Sequence, residues 1–462
     1  MNEILNQMRK KAKNCAEEIK KHKQILIVSH IDADGLTSAG IISTALDRIN
    51  IENSTRFIKQ LNGEIIEELK TENHELIIFT DLGSGMLESI NAQNLNAIIS
   101  DHHQPRGEFE NHLNPHLFGA NGSFELSGSG TTYILASQLG DNHDLADLAI
   151  VGAIGDLQHM KKGKLCGINQ EILNEGVLSK VLHFKKDIMF FGKQTRPLYK
   201  LLQYSSDPYL PGLAGNEVAC IGFLKNIGIR YSSDERWRRW IDLEQNEKQK
   251  IVSALFQYCM KINLPSYKID RMIGEVYTLL KEKEGTEMRD ASEYSTLLNA
   301  TARYGHADIG LSVCKGDRGD AYDEAKKLLG EHRKNLINGL SFVKENGIIE
   351  LKHLQYFDAG SKIKETIVGI IAGMSTTLLA NRNLPIIAFA DADGGTKVSA
   401  RGTQDLIRKG LNLSDALSII SKEVGGAGGG HDIAAGATIP CNTKDEFIRR
   451  LDAAIGVQIG VK

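Results

Sequence analysis

The sequence predicts an α/β protein: an N-terminal domain with a mostly parallel sheet flanked by helices, a helical middle segment, and a C-terminal α/β domain. Three observations carry that expectation. Short runs of β-branched and aliphatic residues alternate with helical periodicity over 25–154. The same alternation returns after 347. The stretch between, about 185–335, is less regular and holds aromatic and basic residues. The expected boundaries are therefore 1–184, 185–335 and 336–462.

Each element has its own reason. Residues 1–24 read as an amphipathic helix ending in a basic run. ILIVSH (25–30), ELIIFTD (75–81) and NAIISDHH (96–103) are short apolar runs, as buried parallel strands require. Helical spacing appears at 36–50, 131–139 and 144–154. The middle segment carries a proline-containing loop, SSDPYLPGL (205–213), and a long helix over about 319–345 that can connect domains. Beyond it come IIELKHL (348–354), a helix at 362–380, strands PIIAFAD and KVSARG, helices at 404–410 and 414–423, and a glycine-rich stretch. In open parallel sheets, ligands sit outside the carboxyl ends of the strands.

Composition removes several classes of function. With 55 basic and 58 acidic side chains the net charge is 55 − 58 = −3, so any nucleic-acid binding must come from a local basic groove. Hydrophobic residues at 41% and charged residues at 24% describe a soluble globular chain and argue against long disorder. No apolar run reaches the roughly 18 residues of a membrane span; the longest, Thr366 to Ala380, is broken by glycines and threonines. The first 23 residues are charged throughout, unlike a secretory signal. The six cysteines are dispersed without CxxC, which suits reduced thiols and a cytoplasmic location.

The sharpest signal is chemical. His30, Asp32 and Asp34 alternate after the first strand, so in extended chain they face one side, and Gly35 allows the turn into a helix. The second strand ends in Asp81, the third in Asp101-His102-His103, and helix 144–154 runs into Asp156. One strand-end aspartate is usually a helix cap or turn residue. DxDG also opens a calcium-binding EF-hand loop, but the glutamate at loop position 12 is missing. Four segments converging on one sheet edge defeat the bland reading. Clustered carboxylates repel one another, and a cation resolves this. Carboxylate and imidazole without thiolate suit Mn²⁺, with Mg²⁺ possible, and the number of ligands suits two ions.

HIDADG (30–35), FTDLG (79–83), SDHH (100–103) and AIGD (153–156) resemble the four motifs of the DHH phosphoesterases. SAR (399–401) and GGGH (428–431) resemble the companion DHHA1 domain. TRPL (195–198), SDPYLPG (206–212) and TLLNATARYG (296–305) resemble archaeal RecJ-like single-strand nucleases. The resemblance implies an Mn²⁺-dependent exonuclease on single-stranded DNA or RNA in replication or repair, with its active site in a cleft between domains. His30, Asp32 and Asp81 would hold one ion. Asp34, Asp81, His102 and Asp156 would hold the other. His103 would meet the scissile phosphate, and Asp101 would orient a histidine. It also implies two rivals: a phosphodiesterase for short oligoribonucleotides, bisphosphorylated nucleosides or cyclic dinucleotides, and a scaffold binding the GINS complex of the replisome.

Three further segments invite function. Gly428, Gly429, Gly430 and His431 lie in a run too rich in glycine for a helix or strand interior; it reads as a linker or, with Arg401, as a clamp for a nucleic-acid end. Asp391-Ala392-Asp393-Gly394 copies DADG but lacks the preceding histidine and sits between strands, as a hairpin turn does. Arg236-Trp237-Arg238-Arg239-Trp240 mixes basic and aromatic residues as single-strand binders do. Helical spacing would instead bury Trp237 and Trp240 together. Arg196, Lys200 and Arg303 are further groove candidates.

Overall fold

In the computed structural model, which describes residues 2–205, 208–233 and 236–460, the run ILIV forms the centre of β1 (Gln24–His30). The strand is apolar throughout because both its faces are covered: Ile25 and Ile27 enter one core, Leu26 and Val28 another. Helix α1 (Asn2–Ile19) packs Leu5, Met8 and Ala12 into the first core. The chain continues through α2 (Ala33–Arg48), β2 (Glu52–Ile58), α3 (Gly63–Glu72), β3 (Leu76–Thr80), α4 (Leu87–Ala92), β4 (Ala97–Ser100) and the short β5 (His112–Leu113). Neighbouring strands are all parallel, in the order β2-β1-β3-β4-β5. Helix α2 belongs to the first core, α3 and α4 to the second. All carboxyl ends therefore share one edge, and the order reverses between β1 and β3, where such sheets bind ligands.

Two departures from expectation concern this sheet. β2 escapes a search for apolar runs because it is an edge strand in which only Ile58 is buried. Helix α2 begins at Ala33, three residues early, because Asp32 caps it. Helices α5 (Gly128–Ala136) and α6 (Ala146–Gly155) then pack against α2.

The middle segment builds a small core of its own. Strand Leu182–Ile188 pairs antiparallel with Ile273–Leu279. Between them, helices Leu198–Gln203, Glu217–Asn226 and Gln245–Lys261 enclose Leu201, Leu224, Trp240 and Leu255. The helix expected to open at Arg236 is instead a hairpin, Ser232–Ser233 against Arg236–Trp237. Trp240 is buried in the turn that follows, but Trp237 is 43% exposed, so the two rings do not share a face. In the loop 205–213, Ser206 and Asp207 lie outside the described residues. Helices Ala291–Arg303 and Ala307–Cys314 return to the first core through Tyr294, Leu297 and Val313. Residues 1–329 thus form one compact unit and 330–462 a second. The long helix Asp320–Asn346 carries the boundary between them.

The second unit has a six-stranded sheet in which Gln355–Asp358, Ile386–Ala392, Gly395–Arg401, Ala434–Ile439 and Ala427–Gly430 are successive neighbours. DADG is a two-residue turn: Ala392 pairs with Gly395, and Gly394 takes φ +82°. The glycine run is not a linker. Ala427–Gly430 forms an edge strand against Ala435–Thr438, because a strand needs only backbone hydrogen bonds. Among the described residues no helix is long and apolar enough to cross a membrane.

Candidate metal centre

His30 is the last residue of β1. Asp32 caps α2, its carboxylate accepting from the Gly35 amide at 2.9 Å. Asp34 lies in the first helical turn, so the pair converges through a strand-to-helix corner and not along an extended strand. Asp34 is 1% exposed. Its two oxygens accept from the Gly128 amide at 2.7 Å and the Ser129 amide at 3.0 Å, the first N–H groups of α5. Asp81 follows β3 at φ +57°, a left-handed conformation rare for a side chain this buried. A Cβ on Gly128 would lie 2.6 Å from Asp81 Oδ1, so glycine is what lets α5 start there. Asp156 ends α6, where the helix dipole disfavours an anion unless a cation is near.

The histidine and carboxylate atoms meet without hydrogen-bond geometry. His30 Nδ1 stands 2.9 Å from Asp32 Oδ2 and 3.5 Å from Asp81 Oδ2. His102 Nε2 stands 3.2 Å from Asp81 Oδ1, 3.3 Å from Asp156 Oδ2 and 3.7 Å from Asp34 Oδ2. His30 Nδ1, Asp81 Oδ1 and His102 Nε2 are buried with no hydrogen-bond partner among the described residues. Such orphaned atoms are costly unless something else binds them. The other nitrogen of His102 faces the Gly122 carbonyl at 2.7 Å and donates to it, which leaves Nε2 facing the carboxylates. Three groups bring their ligand atoms close enough to hold an ion: His30, Asp32 and Asp81; Asp34, His102 and Asp156; and Asp81, Asp101, His102 and His103.

Electrostatics agree with the geometry. Burial, reinforced by the Asp81 charge, pushes Asp34 up to about 6. Burial and Asp34 raise Asp156 well above the carboxylate range. Burial alone would lower His30 and His102, but the carboxylates around them outweigh it and raise both. Burial would raise Asp32, but His30 and the Gly35 amide hold it low, and Arg303 adds to this. These carboxyls compete for too little positive charge, the condition that a divalent cation relieves.

Asp101 faces differently. It accepts from the Ser84 amide at 2.9 Å, the His102 amide at 2.7 Å and His103 Nδ1 at 2.8 Å. The His103 ring is exposed beyond that bond. Burial would lower His103, and the Asp101 bond and charge overcome it and raise the imidazole. Of the groove candidates, Arg303 lies where Asp32 feels its charge, on the helix whose Asn299 accepts from the Ala33 amide at 3.1 Å. Sequence reasoning missed Gly122, Asn299 and the Gly128-Ser129 amides. The SGSG run at 127–130, opening a helix, was the available signal for the last. In the second unit, Arg401 pairs in register with Ala434, and the His431 amide donates to the Ala434 carbonyl at 2.9 Å, so both flank one strand end beside Gly430.

Family models match three segments: a DHH family N-terminal domain over 24–153, a DHH-CID domain over 190–273 and a DHHA1 domain over 352–456. An uncharacterized protein of Methanocaldococcus jannaschii is 36% identical over 470 residues, spanning 99% of this chain and 100% of that protein. The chain belongs to the DHH family. Within that family it is RecJ-like. The single-stranded-DNA-specific exonuclease RecJ of Bacillus subtilis is 30% identical over 165 residues, 32% of this chain and 21% of that protein. RecJ of Thermus thermophilus in complex with Mn²⁺ matches at TM-score 0.59 and 18% identity, over 97% of this chain and 55% of that one, so this DHH protein spans about half of that RecJ. CDC45 of Entamoeba histolytica matches at TM-score 0.67 and 12% identity, over 98% of each chain.

Proposed function

We propose that this DHH protein is an Mn²⁺-dependent exonuclease on single-stranded DNA or RNA, hydrolysing phosphodiester bonds with two metal ions. One observation carries the reading: buried ligand atoms of His30, Asp81 and His102 converge with no hydrogen-bond partner among the described residues. His30, Asp32 and Asp81 would hold one ion; Asp34, Asp81, His102 and Asp156 would hold the other. Mn²⁺, or Mg²⁺, supplies Lewis-acid activation of a water and neutralises charge at phosphorus.

The chain's own groups do the rest. The Asp101 carboxylate orients His103 through Nδ1 and favours its protonated form, so Nε2 can donate to a phosphate oxygen. The Gly122 carbonyl keeps His102 in the tautomer that presents Nε2. Gly128 and Ser129 hold Asp34 in place by their amides. Arg401, Gly428, Gly429, Gly430 and His431 would clamp the backbone of the strand from the second unit.

RecJ and CDC45 both share the fold, so the fold alone does not decide for the nuclease reading. The complete ligand set favours catalysis, which a GINS-binding role can accompany. End-labelled DNA and RNA single strands incubated with Mn²⁺ should release mononucleotides, and Asp81→Ala should abolish the release. Activity confined to two-nucleotide RNA would instead assign a small-substrate enzyme. Full activity of Asp81→Ala would refute the metal assignment.

A further inference from the structure

The strand pair Ser232–Ser233 and Arg236–Trp237 holds an aromatic side chain out of the core. Trp237 is 43% exposed, yet its strand is fixed on both sides. The Arg238 amide donates to the Tyr231 carbonyl at 3.0 Å, and the Leu198 amide donates to the Arg238 carbonyl at 2.8 Å. The Arg238 guanidinium grips Glu247 with two bonds of 2.7 and 2.6 Å, and Arg239 bonds Asp242 and the Gln194 carbonyl. Two arginines of RWRRW thus anchor the segment that follows Trp237. Trp237 stacks on Tyr231 with centroids 5.8 Å apart and planes 26° apart, and it leans on Tyr199 at 4.9 Å. Lys225 lies 5.7 Å from the Tyr231 ring and Lys200 5.9 Å from the Tyr199 ring. Among the described residues neither lysine forms an ion pair. Two lysines therefore lie beside the aromatic cluster, together with Glu217, whose charge Tyr199 feels.

We propose that Trp237, backed by Tyr231 and Tyr199 and flanked by Lys225 and Lys200, is a base-stacking platform for single-stranded nucleic acid, separate from the metal centre. Stacking needs only a π face, and the lysines supply phosphate contacts, so the platform is tolerant of sequence. It deepens the single-strand reading above and rests on it for the substrate class. A protein ligand would also value an exposed tryptophan, but flanking lysines are depleted in protein interfaces and favoured by phosphates.

The chain has two tryptophans, and Trp240 is buried. In full-length Trp240→Phe, fluorescence therefore reports on Trp237. In EDTA, which prevents hydrolysis, oligo(dT) should quench it saturably, with an affinity that falls as salt rises. Trp237→Ala should weaken oligo(dT) binding about tenfold or more, whereas Trp237→Phe should retain most of it. If Trp240→Phe does not fold, comparing the native protein with Trp237→Phe gives the same readout. Absence of quenching while acrylamide still reaches Trp237, or unchanged affinity in Trp237→Ala, would overturn the platform and leave the face to protein docking. Mn²⁺-dependent cleavage of a dinucleotide by Trp237→Ala tests the metal centre separately. Absence of Mn²⁺-dependent cleavage of both the dinucleotide and long single strands by the native protein would sink the nuclease reading while quenching could persist.

Discussion

Asp101 and Asp81 lie on neighbouring strand ends and carry the same charge, yet they do different work. Every polar contact of Asp101 is a hydrogen bond it accepts, whereas Asp81 Oδ1 is buried without one. Asp101→Asn should therefore leave Mn²⁺ affinity close to native while lowering turnover by about 10–100-fold, because His103 loses the charge that orients and protonates it. Isothermal titration with Mn²⁺ beside kcat measurement checks both halves. At this scale much was legible. His30, Asp32, Asp81 and His102 come together, and Asp101 bonds to a histidine. Asp34 arrives by another route: a capped helix turn, anchored by amides of α5 nearly a hundred residues on, which no local pattern encodes. The orienting Gly122 carbonyl was illegible for the same reason.

Among elements, helix Ala291–Arg303 ties the middle segment to the N-terminal core. Glu293 on it accepts from the Gln194 amide at 2.8 Å and from the Thr195 hydroxyl. Burial, reinforced by Asp290, pushes Glu293 up to about 7 from its ordinary 4.5. A carboxyl raised on folding binds its proton more tightly in the native state, so stability is retained below about pH 4.5 and declines as pH rises through 7. Glu293→Gln should remove that decline, worth up to about 3 kcal/mol at pH 8. Urea titrations at pH 5 and pH 8 check it; an unchanged pH dependence would contradict the assignment. Apolar runs made β1, β3 and β4 legible because both faces of each are buried. The edge strands β2 and Ala427–Gly430 were not legible: edge strands are defined by their partners, and neither carries an apolar run. The hairpin at Trp237 was misread as helix because two tryptophans three apart mimic helical spacing.

For the molecule as a whole, two compact units with separate cores predict two unfolding steps. The residues proposed as metal ligands all belong to residues 1–329. Saturating Mn²⁺ should therefore raise the midpoint of one transition by several degrees and leave the other in place. Calorimetry with and without the ion checks this, and a joint shift of both would contradict it. The central claim is tested most directly by anomalous diffraction from crystals soaked in Mn²⁺. Two peaks roughly 3.5–4 Å apart, one beside His30 and Asp32, the other beside Asp34, His102 and Asp156, with Asp81 between them, are expected. No peak at these side chains, or a single ion that leaves His102 Nε2 unligated, would contradict the account.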